Sequence, residues 1–184
     1  MKKRVENFTE FMDNENQFFS TLKTDPRKAP SAGLIMWDYV SGVPKILLVH
    51  PGGPFYVKKD LGHWGIPKGM IEKEDDCKLD TAVREFEEET GHIANSPFIS
   101  LGLITYKSGK VVYAWVFKGN WLGRITCNNF EMEWPPKSKI MGTFPENDRG
   151  QMFTIEEAKV KIMPSQLELI NRVETYLKNE GILK

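Results

Sequence analysis

The amino-acid sequence predicts one α/β domain, in the α+β sense of a mixed β-sheet that carries helices on its faces. The chain has 184 residues, of which 40% are hydrophobic and 27% are charged, as expected for a globular protein with one sizeable core. Strand-like segments come first, followed by one strongly patterned helix, further strands and two closing helices. This order of elements is what favours a mixed sheet.

Charge and composition exclude several classes of protein. The 25 basic and 25 acidic residues cancel, so nothing indicates non-specific binding to nucleic acid or to a membrane surface. No apolar run approaches the ~20 residues that cross a bilayer, and the basic N-terminus has no apolar segment of a secretory signal after it. With only two cysteines, we expect a reduced, cytoplasmic protein. The oligomeric state is left open.

The chain divides into an N-terminal extension and a main domain. A helical pattern of apolar residues covers 1–23, and the proline-containing stretch 24–33 reads as a linker. We therefore expect an N-terminal helical extension and linker over 1–30 and the main domain over 31–184.

Four strands and two closing helices follow from local patterns. The strands are expected at 34–40, 45–50, 99–106 and 110–118, the last two joined by a hairpin turn at Ser108–Gly109. Residues 50–69 are expected to be a loop with short extended parts, and 128–150 to be a loop of a length that is usually functional or disordered. Thr154 with Glu157, and Ser165 with Glu168, predict capping boxes at the starts of the closing helices.

The segment 77–90 predicts a helix with two different faces. An apolar stripe lies on one side and an acidic face on another, and Gly91 ends the helix. The stripe comprises Leu79, Ala82, Val83 and Phe86, and the acidic face comprises Glu85, Glu88 and Glu89. Carboxylates three and four residues apart repel each other, and they are disfavoured at a helix C-terminus. A divalent cation such as Mg²⁺ or Mn²⁺ relieves both costs, whereas the simpler alternative is a solvated acidic face.

The sequence "WGIPKG", residues 64–69, precedes this helix and predicts a tight turn that contains Lys68. A glycine-rich turn that leads towards clustered carboxylates is suited to hold phosphate and metal together.

Residues 69–92, "GMIEKEDDCKLDTAVREFEEETGH", resemble the signature of the Nudix hydrolases, G-x5-E-x7-R-E-U-x-E-E-x-G-U with U aliphatic. Arg84, Glu85, Phe86, Glu88, Glu89 and Gly91 are in register with it. The pattern departs in its loop, where one residue is extra and the acid before the x7 spacer is Asp76, and at its end, where His92 replaces an aliphatic residue. The stretches 45–69, 130–138 and 144–158 resemble the same family.

The resemblance implies a Nudix-type α/β/α sandwich and Mg²⁺- or Mn²⁺-dependent hydrolysis of a nucleoside diphosphate linked to another group. It assigns metal binding to Glu85, Glu88, Glu89 and the Gly69 carbonyl, and it implies that Arg84 orients the carboxylates. One of these acids, or an acid elsewhere, is then the general base. Lys68 is a candidate phosphate contact.

Other candidate substrate contacts have simple alternatives. Lys110 and Tyr113 resemble phosphate-contacting residues of diadenosine polyphosphate hydrolases, although Tyr113 also fits a half-buried strand position. Lys58 and Lys59 are either phosphate contacts or ordinary solvated loop residues. Trp134 either stacks on a base or packs against the prolines of its own loop.

The resemblance also implies an additional acid from a loop just before a late strand, as a catalytic group or metal ligand. Glu146 is the preferred candidate, with a surface loop acid as the alternative reading. Glu133 and Asp148 compete with it, and Arg149 is available to pair with Asp148.

The expected activity is that of a Nudix pyrophosphohydrolase, with dinucleoside polyphosphates such as diadenosine tetraphosphate preferred as substrates. The alternatives are hydrolysis of nucleoside triphosphates and a nucleotide-binding module without turnover.

Overall fold

The computed structural model describes residues 29–72 and 75–183. The helix predicted over 1–23 lies outside the described residues. The strands are β1 Ser31–Val40, β2 Val43–Pro51, β3 Lys68–Met70, β4 Ile99–Thr105, β5 Val111–Lys118, β6 Asn129–Glu133, β7 Met141–Pro145 and β8 Asn147–Phe153. The helices are α1 Lys78–Thr90, α2 Ile155–Lys161 and α3 Leu167–Asn179, with a 3₁₀ turn at Pro164–Gln166.

A six-stranded mixed sheet forms the centre of the domain, in the order β4-β5-β1-β2-β8, with β3 paired to β1. β1 runs parallel to β5 and antiparallel to β2 and β3. The predicted α/β class with a mixed sheet is confirmed. No helix within the described part of the chain is long and apolar enough to cross a membrane.

The alternation of β1 builds a core on each face of the sheet. Ala32, Leu34 and Met36 pack with Ala82 and Phe86 of α1. The intervening positions of β1 contribute to a larger cluster that contains apolar residues of α2 and α3. Since successive side chains of a strand point to opposite faces, one strand anchors both helical layers.

The apolar stripe predicted for α1 is confirmed. Ala82 and Phe86 are fully buried, and Leu79 and Val83 pack partly buried against the same cluster. Gly91 ends the helix in the left-handed conformation (φ 71°), and its N–H donates to the Glu87 carbonyl. Docking this stripe fixes the rotation of α1 about its axis, and with it the direction of the acidic face.

The prediction of an irregular loop over 128–150 is wrong. β6 and β7 form a separate two-stranded hairpin, and β8 begins at Asn147, inside the segment expected to be a loop. Along β6, half-buried Phe130 and Met132 alternate with exposed neighbours, which is the period-two pattern of a strand. The adjacent prolines belong to the turn of the hairpin, so they do not interrupt its pairing.

Two other segments extend further into strands than predicted. β1 begins at Ser31, inside the expected linker, because Ser31 pairs with both Met70 and Val112. Lys68 and Gly69 belong to β3 instead of a turn. Both differences have the same cause, which is pairing between segments that are distant in sequence.

Of the two predicted capping boxes, one is confirmed. The Thr154 hydroxyl accepts a hydrogen bond from the Glu157 backbone N–H, and the Glu157 side chain accepts one from the Thr154 N–H. The box at Ser165 is wrong, because α3 follows a 3₁₀ turn and begins at Leu167 without a side-chain cap.

Candidate active site

The Glu85 carboxylate lies directly against the backbone of Gly69. A Cβ atom added at Gly69 would overlap all three atoms of this carboxyl group. The Glu85 side chain is only 14% exposed. Burial raises the pKa of Glu85, and the charges of Glu88 and Glu146 act in the same direction, against the opposing effect of Arg84. A residue without a side chain at position 69 is therefore required by this contact.

Glu89 is the most strongly perturbed acid of the site. Burial raises the pKa of its carboxyl to about 7, while Lys68 and the Asn147 amide favour the ionised form. The Lys68 backbone N–H donates to Glu89 Oε2 over 3.4 Å, which is long for a hydrogen bond. Glu89 is thus a half-buried, strongly desolvated acid with one long hydrogen bond from a described residue.

Arg84 connects the acids of α1. One nitrogen of its guanidinium (Nη1) donates to Glu85 Oε1 at 2.9 Å and to Glu88 Oε2 at 3.4 Å. The other (Nη2) donates to the Met70 carbonyl at 3.4 Å. These contacts fit the orienting role expected for Arg84, since charge-assisted hydrogen bonds fix carboxylate geometry.

Asp75 is a member of this network that the sequence interpretation missed. It accepts hydrogen bonds from Arg84 (3.2 Å) and from the Thr81 hydroxyl (2.7 Å). Burial works to raise the pKa of Asp75, but these hydrogen bonds outweigh it and lower the pKa. Asp76, which was matched to the signature, is exposed. The sequence does contain a signal for Asp75, because five residues separate it from Gly69, as the G-x5-E part of the signature requires.

Two lysines lie within electrostatic reach of the carboxylates. Burial and the charge of Lys68 lower the pKa of Lys110, and the charge of Glu85 opposes them. Lys68 also interacts with Glu89. The structure therefore brings together the acids and two of the predicted phosphate contacts.

Tyr113 shares the face of the sheet on which α1 lies. Ala32 pairs with Gly69 on one side and with Tyr113 on the other, which puts Tyr113 about 10 Å from Gly69 at the usual strand spacing. The Lys78 ammonium lies 4.3 Å from the centre of the Tyr113 ring. Both readings of Tyr113 stay open, because its ring is half-buried and also adjoins the acidic helix.

Glu146 joins β7 to β8 and is exposed. Its charge raises the pKa of Glu85, so it faces the same site. Its backbone is held on both sides, by the Asn128 carbonyl, which accepts its N–H, and by Gly52, whose N–H donates to its carbonyl. Of the three acids considered from this region, Glu146 is the one with an interaction that reaches α1.

The other two acids have structural partners. Glu133 accepts a hydrogen bond from the Lys139 N–H within the hairpin turn. Asp148 accepts from the fully buried His50 at 2.7 Å and from Arg149 at 3.3 Å. The other ring nitrogen of His50 contacts the Lys59 carbonyl at 2.9 Å, which ties the loop after β2 to β8.

Within the described residues, the structure shows no contact of Trp134 or Lys58 with the carboxylates of the site. The Trp134 ring packs edge-on against Phe55, with 5.0 Å between ring centres, rather than against its own prolines alone. Lys58 is exposed, and within 29–72 and 75–183 the structure shows no hydrogen bond or ion pair of its side chain. Their roles as substrate contacts stay predictions.

The acidic residues provide the carboxylate oxygens that a divalent cation prefers, although their side chains are not grouped around one point. Within the described ranges, no three His, Cys, Asp or Glu side chains are grouped closely enough to hold a metal ion. Arg84 lies between Glu85 and Glu88. The desolvated acids and the backbone cradle at Gly69 still form an oxygen-rich site of the kind that suits Mg²⁺ or Mn²⁺.

A family model described as NUDIX domain matches residues 27–172. The chain belongs to the Nudix family. This match confirms the predicted family and the prediction of a Nudix pyrophosphohydrolase. Comparison with curated protein sequences gave no significant match.

Solved structures with similar folds include a C. elegans Ap4A hydrolase binary complex, at 21% identity and a TM-score of 0.59, covering 81% of this chain and 98% of that chain. The NUDIX domain of Shewanella oneidensis NrtR complexed with ADP ribose has 16% identity and a TM-score of 0.59, with 89% and 98% covered. The M. smegmatis Nudix hydrolase RenU has 14% identity and a TM-score of 0.54, with 85% and 90% covered. At these identities the likeness concerns the fold.

Gly69→Ala should lower kcat at least tenfold, because the new methyl group displaces the Glu85 carboxylate. Gly65→Ala is the matched control in the same segment, since an added Cβ there makes only ordinary contacts with Gln166 and Met163. Steady-state kinetics and thermal unfolding of both variants test the prediction. Normal kcat in a folded Gly69→Ala protein would show that the contact is dispensable.

Glu89→Gln should stabilise the metal-free protein at pH 8 and have little effect near pH 4.5. The folded-state pKa of Glu89 is raised from 4.5 to about 7, so its ionisation destabilises the fold as pH rises through this interval. Glutamine mimics the neutral acid and removes this cost, which is on the order of 2–3 kcal/mol. Urea unfolding in EDTA at both pH values measures the difference, and an equal effect at both would refute the assignment.

Proposed function

We propose that this Nudix protein hydrolyses a pyrophosphate bond of a nucleoside diphosphate-X substrate with Mg²⁺ or Mn²⁺, and that dinucleoside polyphosphates such as diadenosine tetraphosphate are preferred. The observation that carries the proposal is a pair of desolvated acids. Glu85 lies against the Gly69 backbone, and Glu89 accepts a hydrogen bond from the neighbouring Lys68 N–H. Burying carboxylates without a matching cation is costly, and a divalent ion with a phosphate substrate supplies that match.

Each residue has a defined task in this proposal. Glu85, Glu88, Glu89 and the Gly69 carbonyl hold the cation, and Arg84 orients the first two. When bound, the cation supplies Lewis-acid chemistry, since it neutralises pyrophosphate charge and makes water more acidic. Glu146 provides the additional carboxylate that faces Glu85, either to accept the proton of the attacking water or to complete the cation's oxygen shell.

The preference for a long polyphosphate chain is supported by the distribution of lysines. Lys68 and Lys110 interact electrostatically with the carboxylates and are suited to phosphates next to the cleaved bond. Lys58 and Lys59 belong to the loop that Gly52 and His50 attach to the β7–β8 junction. Two lysines at the acidic centre, with two more on a loop that is attached to the β7–β8 junction, suit a substrate with several phosphates. The structural neighbour named as an Ap4A hydrolase has a compatible fold.

Trp134 and Phe55 are the candidate base-stacking pair. Phe55 is three residues after Gly52, so its Cα is at most about 11 Å from that of Gly52, whose N–H binds the Glu146 carbonyl. That reach suits a nucleoside attached to the phosphates, and stacking on an aromatic ring contributes about 1–3 kcal/mol per base.

A substrate panel tests the proposal. Diadenosine tetraphosphate, ATP and ADP-ribose are compared by kcat/KM with Mg²⁺, with Mn²⁺ and with EDTA. We expect the highest value for diadenosine tetraphosphate and none with EDTA. A kcat/KM for ATP well above that for diadenosine tetraphosphate would favour the alternative of a nucleoside triphosphate hydrolase. Nucleotide binding without any turnover would favour a non-catalytic module. Glu88→Gln should lower kcat at least tenfold, whereas Glu87→Gln, which keeps an acceptor for the Ala94 N–H, should not.

Glu146→Gln should lower kcat at least tenfold with little change in KM or Tm, because its side chain makes no hydrogen bond to another residue that the structure describes. Asp148→Asn is the matched comparison two residues along. The Asp148→Asn substitution should lower Tm and change kcat only mildly, since it weakens the contact with buried His50. Kinetics and thermal unfolding of the two variants distinguish these outcomes. An active Glu146→Gln protein together with an inactive Glu133→Gln protein would assign the additional acid to the hairpin.

A further inference from the structure

The side-chain amide of Asn147 is buried beside the acidic centre without a proper partner. Asn147 is the first residue of β8 and is 8% exposed. Within the described part of the chain, its Nδ2 makes no hydrogen bond of standard geometry. The same amide lies close to the half-buried carboxylate of Glu89. A buried donor without a partner that lies next to a carboxylate with one long hydrogen bond, of 3.4 Å, has an evident partner.

The backbone of Asn147 is fixed independently of its side chain. The Cys127 thiol donates to the Asn147 carbonyl at 3.1 Å, and the Asn147 N–H contacts the same sulfur at 3.4 Å. Asn147 also pairs with Pro51 at the end of β2. Strand pairing thus sets the position of the Asn147 backbone and of its amide, and the thiol contacts add to the stability of this segment.

Glu89 has few other donors. Among residues 29–72 and 75–183, the hydrogen bond of standard geometry to its carboxylate comes from the Lys68 N–H at 3.4 Å. A carboxylate that ligates a cation must be held in one orientation, and hydrogen bonds from surrounding residues usually do this. Lys68 and Asn147 approach Glu89 from two different strands, so together they limit its rotation.

We infer that Asn147 is a positioning residue: its Nδ2–H donates to Glu89 when the cation is bound and fixes this carboxylate as a ligand. The inference rests on the proposed function, since it assumes that Glu89 binds the cation. Asn147 acts through Glu89 and does not touch the substrate.

Mn²⁺ binding, followed by the EPR signal of free Mn²⁺ without substrate, tests the inference. Asn147→Leu removes the donor at nearly constant size and should weaken Mn²⁺ binding about tenfold. Asn147→Ala should give a similar loss if the leucine variant does not fold. In a Glu89→Gln background, either substitution should change Mn²⁺ affinity less than twofold, because the partner of the amide is no longer a carboxylate.

Cys127→Ala is the control for a loosened strand. It removes the thiol contacts with the Asn147 backbone and keeps the amide, so it should lower Tm while Mn²⁺ affinity stays within twofold of wild type. Equal losses in Cys127→Ala and Asn147→Leu, or the same loss from Asn147→Leu with and without Glu89→Gln, would overturn the inference. Unchanged affinity in Asn147→Leu would overturn it alone, whereas a wild-type protein that binds no Mn²⁺ would overturn the proposed metal site as well.

Discussion

The contact between the Glu85 carboxylate and the backbone of Gly69 is the constraint on which the site depends. It joins the acidic face of α1 to β3, a strand of only three residues that pairs with the central strand β1. Since no side chain larger than hydrogen fits at position 69, helix and strand approach closely enough to exclude water from the carboxylate. The raised pKa of Glu85 is the direct consequence.

The charges around this contact are balanced only in part. Arg84 bonds to Asp75, Glu85 and Glu88 and keeps the acidic helix compatible with folding. Glu89 lies beyond the hydrogen bonds of Arg84 and retains the larger perturbation. The ionised form of Glu89 is therefore poorly stabilised by the protein, and a cation would stabilise it. Such perturbed acids are common at functional sites.

The second half of the site comes from strand pairing and not from the helix. β8 aligns with β2, and this register brings Glu146 and Asn147 towards α1 while His50 connects Asp148 with the loop that bears the lysines. The hairpin of β6 and β7 packs on the same loop, with Phe130 against Gly53 and Trp134 against Phe55. The β7–β8 junction with Glu146, the loop that contains Lys58 and Lys59, and the pair of Phe55 and Trp134 are therefore linked by direct contacts.

The sequence by itself determined the features that depend on local geometry. The two faces of α1, its end at Gly91 and the Thr154 capping box follow from helical spacing within a few residues, and the signature identified the family. Tertiary structure decided the rest. Ser31 and Asn147 become strand residues, and the Asn147 amide lies close to Glu89. These outcomes depend on which distant segments pair and in which register, and residue spacing along one chain carries no record of that.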